Sequence, residues 1–192
     1  MEKILKDFIE SIKKEEVEVY NEFSLQHELG IYLRKKLPGY KVEFERNIKF
    51  FGINEKTVKK EIDIVVYKDG AERKESIAIE LKFPRNGQYP EQMYAFIKDI
   101  CFMEQLKRKG FKRTFCLTLV DDEKFYSKKD NLKTEGIYGY FRKNESISRN
   151  TTIEQPTGNK NNCLQLSNDY RISWQRFNQG IYEKWRYYLI EV

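Results

Sequence analysis

Helical spacing of hydrophobic residues marks two segments at the start of the chain. The first predicts an amphipathic helix over residues 2–15, on the stripe Ile4, Leu5, Phe8, Ile9 and Ile12. The second predicts a helix that begins near Ser24, a residue suited to the N-cap, and stops before Pro38. One acid, Glu28, falls within the stripe of this second helix, which runs through Leu25, Leu29, Tyr32, Leu33 and Leu37.

Three strand-like segments follow the second helix. Residues 40–51 show the alternation of a half-buried strand, and residues 61–67 and 77–82 are short runs rich in β-branched and aliphatic side chains. Asp69 and Gly70, between the second and third segments, are a pair typical of a hairpin turn. The pattern therefore predicts three strands joined as antiparallel hairpins.

A long helix and a fourth strand are predicted next. Pro90 suits the first turn of a helix and Gly110 suits its end. The hydrophobic stripe of this helix consists of Met93, Phe96, Ile97, Ile100, Met103 and Leu106. Residues 111–120 then predict a strand, and the strand–helix–strand connection implies a parallel pair with a right-handed crossover. The expected fold is α/β, with a mixed sheet flanked by helices.

Beyond residue 120 the periodicity weakens. Residues 121–170 are polar and predict a loop region with at most one short helix. Residues 170–177 and 185–192 predict extra C-terminal strands, joined by a turn at residues 178–180. We expect one domain over residues 1–192, because the length suits one core and no linker or repeat is evident.

Composition narrows the class of protein. The content of 40% hydrophobic and 15% aromatic residues is ordinary for a globular protein. A net charge of +6 favours an anionic partner, foremost nucleic acid, although a lysine-rich solvated surface explains the charge equally well. The three cysteines form no CxxC pair, which argues against structural zinc. With no signal peptide and no apolar run of about 18 residues, the chain is expected in the cytoplasm and not in a membrane.

The second and third predicted strands carry a charged constellation. Glu80 and Lys82 share one face of a strand because side chains two residues apart point the same way, and Asp63 occupies the matching position on the preceding strand. Clustered carboxylates need a counter-charge, and Mg²⁺ or Mn²⁺ suits oxygen ligands. With Lys82 beside an attacking water, the group is suited to phosphodiester hydrolysis.

This arrangement resembles the PD-(D/E)XK nuclease superfamily. Asp63, a gap of 16 residues and then Glu80-Leu81-Lys82 lie among elements in the order of the restriction-endonuclease-like αβββαβ core. The resemblance covers about residues 20–120 and leaves residues 121–192 as a C-terminal elaboration. Ile62 stands where a proline often precedes the aspartate in this superfamily. The resemblance implies a Mg²⁺-dependent (endo)deoxyribonuclease that binds DNA.

The superfamily motif also implies roles for individual residues. Asp63 and Glu80 would be metal ligands, together with the backbone carbonyl of Leu81, and Lys82 would act on the attacking water. Asp63, Glu80 and Lys82 are therefore the expected catalytic residues.

Two helices complete the implied site. An acid on the first core helix is common in the superfamily, and Glu28 fits that role as a catalytic residue and metal ligand, with Glu22 as the alternative. Gln92, followed four residues later by Phe96, resembles the QxxxY motif of RecB-like members with Phe in place of Tyr. Gln92 is therefore expected to contact DNA or to orient the site.

A basic run surrounds the end of the long helix and offers a second nucleic-acid contact. It consists of Lys107, Arg108, Lys109, Lys112 and Arg113. Such a run can follow a phosphate backbone, but basic residues at a helix C-terminus also complement its dipole.

Other interpretations stay open on the sequence alone. Asp63, Glu80 and Lys82 are also consistent with an ion-pair ladder on a solvated sheet face. The chain is also consistent with a catalytically inactive nucleic-acid-binding or interaction module of the same fold. Membership of a restriction or defence system, as a homodimer or with a partner protein, is compatible with its size.

Overall fold

The computed structural model describes residues 1–70, 73–85, 87–157, 162–177 and 182–192. Its helices are α1 (Glu2–Lys13), α2 (Glu22–Lys36), α3 (Tyr89–Arg108) and α4 (Ile137–Arg142). Its longer strands are β1 (Lys41–Asn47), β2 (Glu61–Tyr67), β3 (Ile77–Lys82), β4 (Arg113–Val120) and β10 (Arg186–Glu191). The short strands are β5 (Ser146–Ile147), β6 (Thr152–Glu154), β7 (Cys163–Gln165), β8 (Tyr170–Arg171) and β9 (Gln175–Arg176).

The central sheet has six strands in the order β1-β2-β3-β4-β10-β9. Neighbouring strands are antiparallel except β3 and β4, which are parallel and are connected through α3. The predicted α/β class, the mixed sheet and the parallel pair are confirmed. Residues 61–67 and 77–82 form β2 and β3 with the predicted bounds.

Helices cover both faces of this sheet, so its central strands are buried on both sides. Alternate residues of β2 and β3 contribute to two apolar clusters. Ile64, Ile79 and Leu81 pack with α1 and α2, whereas Val65 and Ala78 pack with α3. A charged side chain in β2 or β3 therefore lies between the sheet and a helix unless it is close to a strand end.

The start of α2 differs from the prediction. Asn21 is the N-cap and Ser24 is the third helical residue, so α2 begins at Glu22. Asn21 Oδ1 accepts a hydrogen bond from Ser24 N at 2.8 Å, and Ser24 Oγ accepts one from Asn21 N at 3.0 Å. This capping box satisfies two of the free donors at the helix start and adds a turn that the prediction omitted.

The first and last strands also differ from their predictions. Strand β1 ends at Asn47 because residues 48–51 turn into a 3₁₀ helix, which Asn47 caps and Gly52 closes with a φ of 70°. Residues 170–177 form two separate two-residue strands rather than one strand. The turn expected at residues 178–180 lies outside the described residues.

Those residues between 121 and 170 that the structure describes contain more regular structure than the predicted loop region. They contain α4, a 3₁₀ helix at Glu123–Phe125 and strands of two small antiparallel sheets, β5-β8 and β6-β7. Ile147, Ile153 and Leu164 pack into the apolar cluster around α3. In the part of the chain that the structure describes, no helix is long and apolar enough to cross a membrane.

Candidate functional site

Asp63 and Glu80 are held to each other by the backbones of β2 and β3. Asp63 Oδ2 accepts a hydrogen bond from Leu81 N at 2.8 Å, and Glu80 Oε1 accepts one from Asp63 N at 3.2 Å. Both residues are buried. Since each carboxylate uses one oxygen to bind the neighbouring strand, its second oxygen is free to meet another group.

A lysine that the sequence analysis did not single out meets both carboxylates. Lys59 lies two residues before β2, and its ammonium donates to Glu80 Oε2 and, at 3.1 Å, to Asp99 Oδ1. Asp63 Oδ1 lies 3.6 Å from the same nitrogen. Asp99 is buried on the inner face of α3. Strands β2 and β3, helix α3 and the segment before β2 therefore contribute to one charged cluster.

Lys82 connects this cluster to α2. Its Nζ donates to Leu81 O at 2.9 Å and to Glu22 Oε1 at 3.1 Å, and it lies 3.5 Å from Asp99 Oδ2. Glu22 Oε2 accepts a hydrogen bond from Phe83 N at 3.0 Å. The first turn of α2 is thus attached to the end of β3 through the same carboxylate that pairs with Lys82.

A second residue of α2 fixes the helix against β2. Gln26 Nε2 donates to the backbone carbonyl of Asp63 at 2.8 Å and to Glu45 Oε1 at 2.7 Å. Glu22 and Gln26 are one helical turn apart and therefore share a face. This face of α2 forms one wall of the site.

The charged cluster opens into a cleft of about 620 Å³. Phe23, which is 79% exposed, lies at its rim. Its other lining residues are Glu22, Gln26, Glu45, Val58, Lys59, Lys60, Glu61, Asp63, Leu81, Lys82 and Lys98. A concavity of about 790 Å³ lies elsewhere, near Lys41 and Arg73, but contains none of the clustered acids. Proximity to the acids makes the smaller cleft the candidate site.

Burial makes these acids hard to ionise. Loss of solvent raises the pKa of Asp63 to about 6, even though Lys59 and Lys82 favour its charged form. The pKa of Glu80 is also raised, first by complete burial and then by the charges of Asp63 and Asp99. A nearby positive charge therefore stabilises the ionised form of these buried carboxyl groups.

The two lysines show the opposite balance. Burial lowers the pKa of Lys59, but Asp99, Glu80 and Asp63 outweigh it and leave that pKa above its usual value. The pKa of Lys82 is raised in the same way, with burial opposed by the neighbouring carboxylates. Both side chains therefore remain ammonium ions at neutral pH and act as hydrogen-bond donors.

The donor atoms of the site are of the type that binds a hard divalent cation. Asp63, Glu80 and Asp99 supply carboxylate oxygens and Leu81 supplies a carbonyl, the ligand types that Mg²⁺ and Mn²⁺ prefer. Asp99 Oδ2 is buried and accepts no hydrogen bond in the described part of the chain. Across that same part, no group of three or more Asp, Glu, His or Cys side chains is arranged to hold a metal ion. At the point where the carboxylates meet, the cation is the Lys59 ammonium.

Of the five residues expected as catalytic groups or metal ligands, four lie together in the charged cluster and one does not. Asp63, Glu80, Leu81 and Lys82 converge, but Glu28 pairs with His27 at 3.3 Å and does not line the cleft. The expectation that Glu28 joins the site is therefore not met.

The helical period explains why Glu22 takes the place expected for Glu28. Each residue turns an α-helix by about 100°, so Glu28, two residues after Gln26, points about 200° away from the face that contacts β2. Glu22, the alternative acid, shares that face with Gln26 and reaches Lys82.

Lys59 and Asp99 are the site residues that the sequence analysis missed. Asp99 carried a usable signal, because it lies three residues after Phe96 and four before Met103, within the buried stripe of α3. Lys59 carried none, since it lies in a polar segment where lysine is ordinary.

The basic run lies at the other end of the sheet from the acids. Arg113 is paired with Ile77 at the first residue of β3, five positions before Lys82, a separation of about 17 Å. Several of its side chains contact other described residues: Lys107 with Lys112 O, Arg108 with Ser167, Lys109 with Glu55 and Arg113 with Glu191.

Gln92 is closer to the acids than the basic run is. It lies seven residues before Asp99 on α3, which is two turns along the same face and about 10 Å away. Its expected role in DNA contact or orientation stays a prediction.

No protein-family model matches the sequence, and neither a curated protein nor a solved structure shows significant similarity to it. The chemistry of the cleft therefore has to be argued from its own residues.

Proposed function

We propose that this chain is a divalent-metal-dependent nuclease with a restriction-endonuclease-like core, which hydrolyses phosphodiester bonds in DNA. The elements α2-β1-β2-β3-α3-β4 follow the αβββαβ order of that core. Strands β1, β2 and β3 pair antiparallel, and β3 pairs parallel with β4. Fold alone does not determine function, so the proposal rests on the site.

One observation carries the proposal: an acid of β2, the acid and lysine of β3 and an acid of α2 meet in one charged cluster, which the cleft reaches at Asp63, Lys82 and Glu22. Asp63, Glu80, Lys82 and Glu22 are linked by hydrogen bonds of 2.8–3.2 Å to one another or to adjacent backbone atoms. An ion-pair ladder on a solvated sheet face would leave these side chains exposed. Here Glu80 is completely buried, and an unneeded buried carboxylate would cost stability.

The proposed chemistry assigns a part to each residue. Asp63, Glu80 and the carbonyl of Leu81 would hold the divalent ion, with Asp99 beside them, and the ion would supply Lewis-acid activation of water and neutralise phosphate charge. Lys82, an ammonium ion, donates to the attacking water or to a phosphate oxygen. Glu22 orients Lys82.

The reaction exchanges one phosphorus–oxygen bond for another. The water oxygen bonds to phosphorus while the bond to one ester oxygen breaks. The water loses a proton to solvent, and the leaving oxygen gains one. Because Lys82 is already protonated at neutral pH, it contributes by stabilising negative charge and not by accepting the proton.

A cleavage assay with matched variants tests this function. Asp63→Asn and Lys82→Met preserve size but remove a charge from the cleft, so each is expected to lower Mg²⁺-dependent cleavage at least about a hundredfold. Linear, circular, single-stranded and branched DNA are the substrates, and gel electrophoresis is the readout.

Glu28→Gln is the control for this assay. It removes a carboxylate from the same helix as Glu22, but on the face away from the cleft. Cleavage by the control should equal that of the wild type. Unchanged cleavage by both Asp63→Asn and Lys82→Met would exclude the proposed site.

The contact between Lys59 and the acids favours a second candidate function. A module in which Lys59 permanently balances the carboxylates would keep the fold and bind nucleic acid without metal or catalysis. Calorimetric titration with Mn²⁺ separates the two: no heat of binding supports the module, and binding that is lost in Glu80→Gln supports the nuclease.

A further inference from the structure

Two of the carboxylates around the Lys59 ammonium are held in place by hydrogen bonds that do not involve Lys59. Backbone N–H groups hold Asp63 Oδ2 and Glu80 Oε1, which leaves Asp63 Oδ1 and Glu80 Oε2 directed away from the strands. Both free oxygens, together with Asp99 Oδ1, contact the Lys59 ammonium. One cation thus meets one oxygen from each of three carboxylates.

Opposite charges account for the contacts of Lys59. Asp63, Glu80 and Asp99 bring three carboxyl groups into a buried region, and Lys59 and Lys82 bring two ammonium groups. Without Lys59, the three carboxyl groups would face the Lys82 ammonium alone, and the uncompensated charge would destabilise the cluster. Lys59 therefore offsets the negative charge of the acids and helps to hold them in place.

We propose that Lys59 is a tethered cation that a divalent metal ion displaces, so that Lys59 sets the metal concentration at which the site fills. This inference rests on the proposed function. The two cations compete because they require the same free oxygens of Asp63 and Glu80. Lys59 is able to leave: its side chain is 22% exposed, has a flexible four-carbon stem and lines the open cleft.

The competition can be measured on the unaltered protein by lysine labelling. The protein is treated briefly with acetic anhydride, once in the presence of Mn²⁺ and once in the presence of EDTA. Modification at each lysine is then quantified by mass spectrometry. Displacement is expected to raise the labelling of Lys59 at least about fivefold in Mn²⁺, because a buried, paired ammonium reacts slowly. Lys60, which is exposed and lines the same cleft, serves as the internal control and should label equally in both conditions.

A pair of variants tests the same competition by affinity. Lys59→Met should bind Mn²⁺ about tenfold more tightly than the wild type, because the ion no longer competes with a positive charge. In EDTA this variant should unfold at a lower temperature, and Mn²⁺ should raise its unfolding temperature more than that of the wild type. Lys60→Met, the matched control, should leave Mn²⁺ affinity unchanged.

The outcomes separate this inference from the proposed function. If the wild type binds Mn²⁺ but Lys59 labelling does not change, or if Lys59→Met binds Mn²⁺ no more tightly, the displacement is wrong and the nuclease proposal stands. If the wild type binds no Mn²⁺, both proposals fail. Should Lys59→Met not fold, the labelling of the wild type decides.

Discussion

At the scale of single residues, burial opposes the ionisation of the acids beside the cleft. Asp63 has hydrogen bonds and cationic neighbours, yet burial still raises its pKa to about 6. The ionised side chain is therefore less stable in the folded protein than in water. Groups with such shifts are concentrated at functional sites, because a site that must bind a cation keeps negative charge where folding alone would remove it.

The raised pKa predicts how stability depends on pH in the metal-free protein. The folded state holds the Asp63 proton from about pH 4 to about pH 6, where the unfolded state has lost it, so stability falls as pH rises through this window. Asp63→Asn removes this effect. In EDTA at pH 7.5, the Asp63→Asn variant should have a free energy of unfolding up to about 3 kcal/mol above that of the wild type. At pH 4 the free energies of unfolding of the two proteins should be nearly equal.

Urea unfolding of both proteins at the two pH values measures this difference. Glu28→Gln, outside the charged cluster, should show no gain that depends on pH. An Asp63→Asn protein less stable than the wild type at pH 7.5 would mean that the ion pairs of Asp63 outweigh its burial.

At the scale of secondary structure, the placement of α2 decides which acid reaches the cleft. The capping box at Asn21 and Ser24 starts the helix early enough to include Glu22, and Gln26 attaches the next turn to β2. Gly30, one turn further, lets the helix approach β1 closely. A Cβ atom at this position would lie 2.2 Å from the Phe44 ring.

This close approach predicts the effect of Gly30→Ala. Helix propensity alone would stabilise the variant by about 1 kcal/mol. The contact with Phe44 should outweigh that gain, because overpacking in a tight interface costs about 1–3 kcal/mol. We therefore expect net destabilisation in chemical unfolding, with a loss of cleavage if α2 and Glu22 shift.

A matched substitution on the same helix checks the cause. His27→Ala changes a side chain that is 68% exposed, so it should alter stability by less than about 0.5 kcal/mol. If Gly30→Ala is instead more stable than the wild type, Phe44 has moved aside and helix propensity dominates.

At the scale of the whole molecule, positive charge is distributed over both ends of the sheet. Lys98 and Lys60 line the cleft, whereas the basic run around Gly110 lies beyond the opposite ends of β3 and β4. Most of that run already pairs with acids or with carbonyls. Under the proposed function, DNA binding should therefore depend on the cleft lysines more than on the basic run.

Salt-dependent binding tests this distribution of charge. In EDTA, Lys98→Met should weaken DNA binding about three- to tenfold. It should also reduce the magnitude of the slope of log affinity against log salt concentration by about one. Lys112→Met removes a charge from the basic run and should have little effect. The reverse result, measured by fluorescence anisotropy, would identify the run as the DNA-binding surface.

The sequence alone determined the parts of this protein that depend on local periodicity. Short runs of β-branched and aliphatic residues predicted β2 and β3, and two-residue alternation placed Asp63, Glu80 and Lys82 on one face. Helical spacing predicted the buried stripe of α3. These predictions hold because side-chain direction in a regular element follows from its period. The sequence predicted the ends of the elements less well, because hydrogen bonds such as those of the Asn21 cap determine where a helix begins.

Only the tertiary structure decided which distant side chains meet. Lys59, Asp99 and Glu22 come from a loop and two helices, and their local sequence does not say that all three meet Asp63 or its neighbours. Their convergence depends on how α2 and α3 pack against the two faces of the sheet. That packing is determined by apolar contacts between residues that are far apart in the sequence. The motif therefore predicted acids in need of a cation, and the packing showed that the cation beside them in this structure is Lys59.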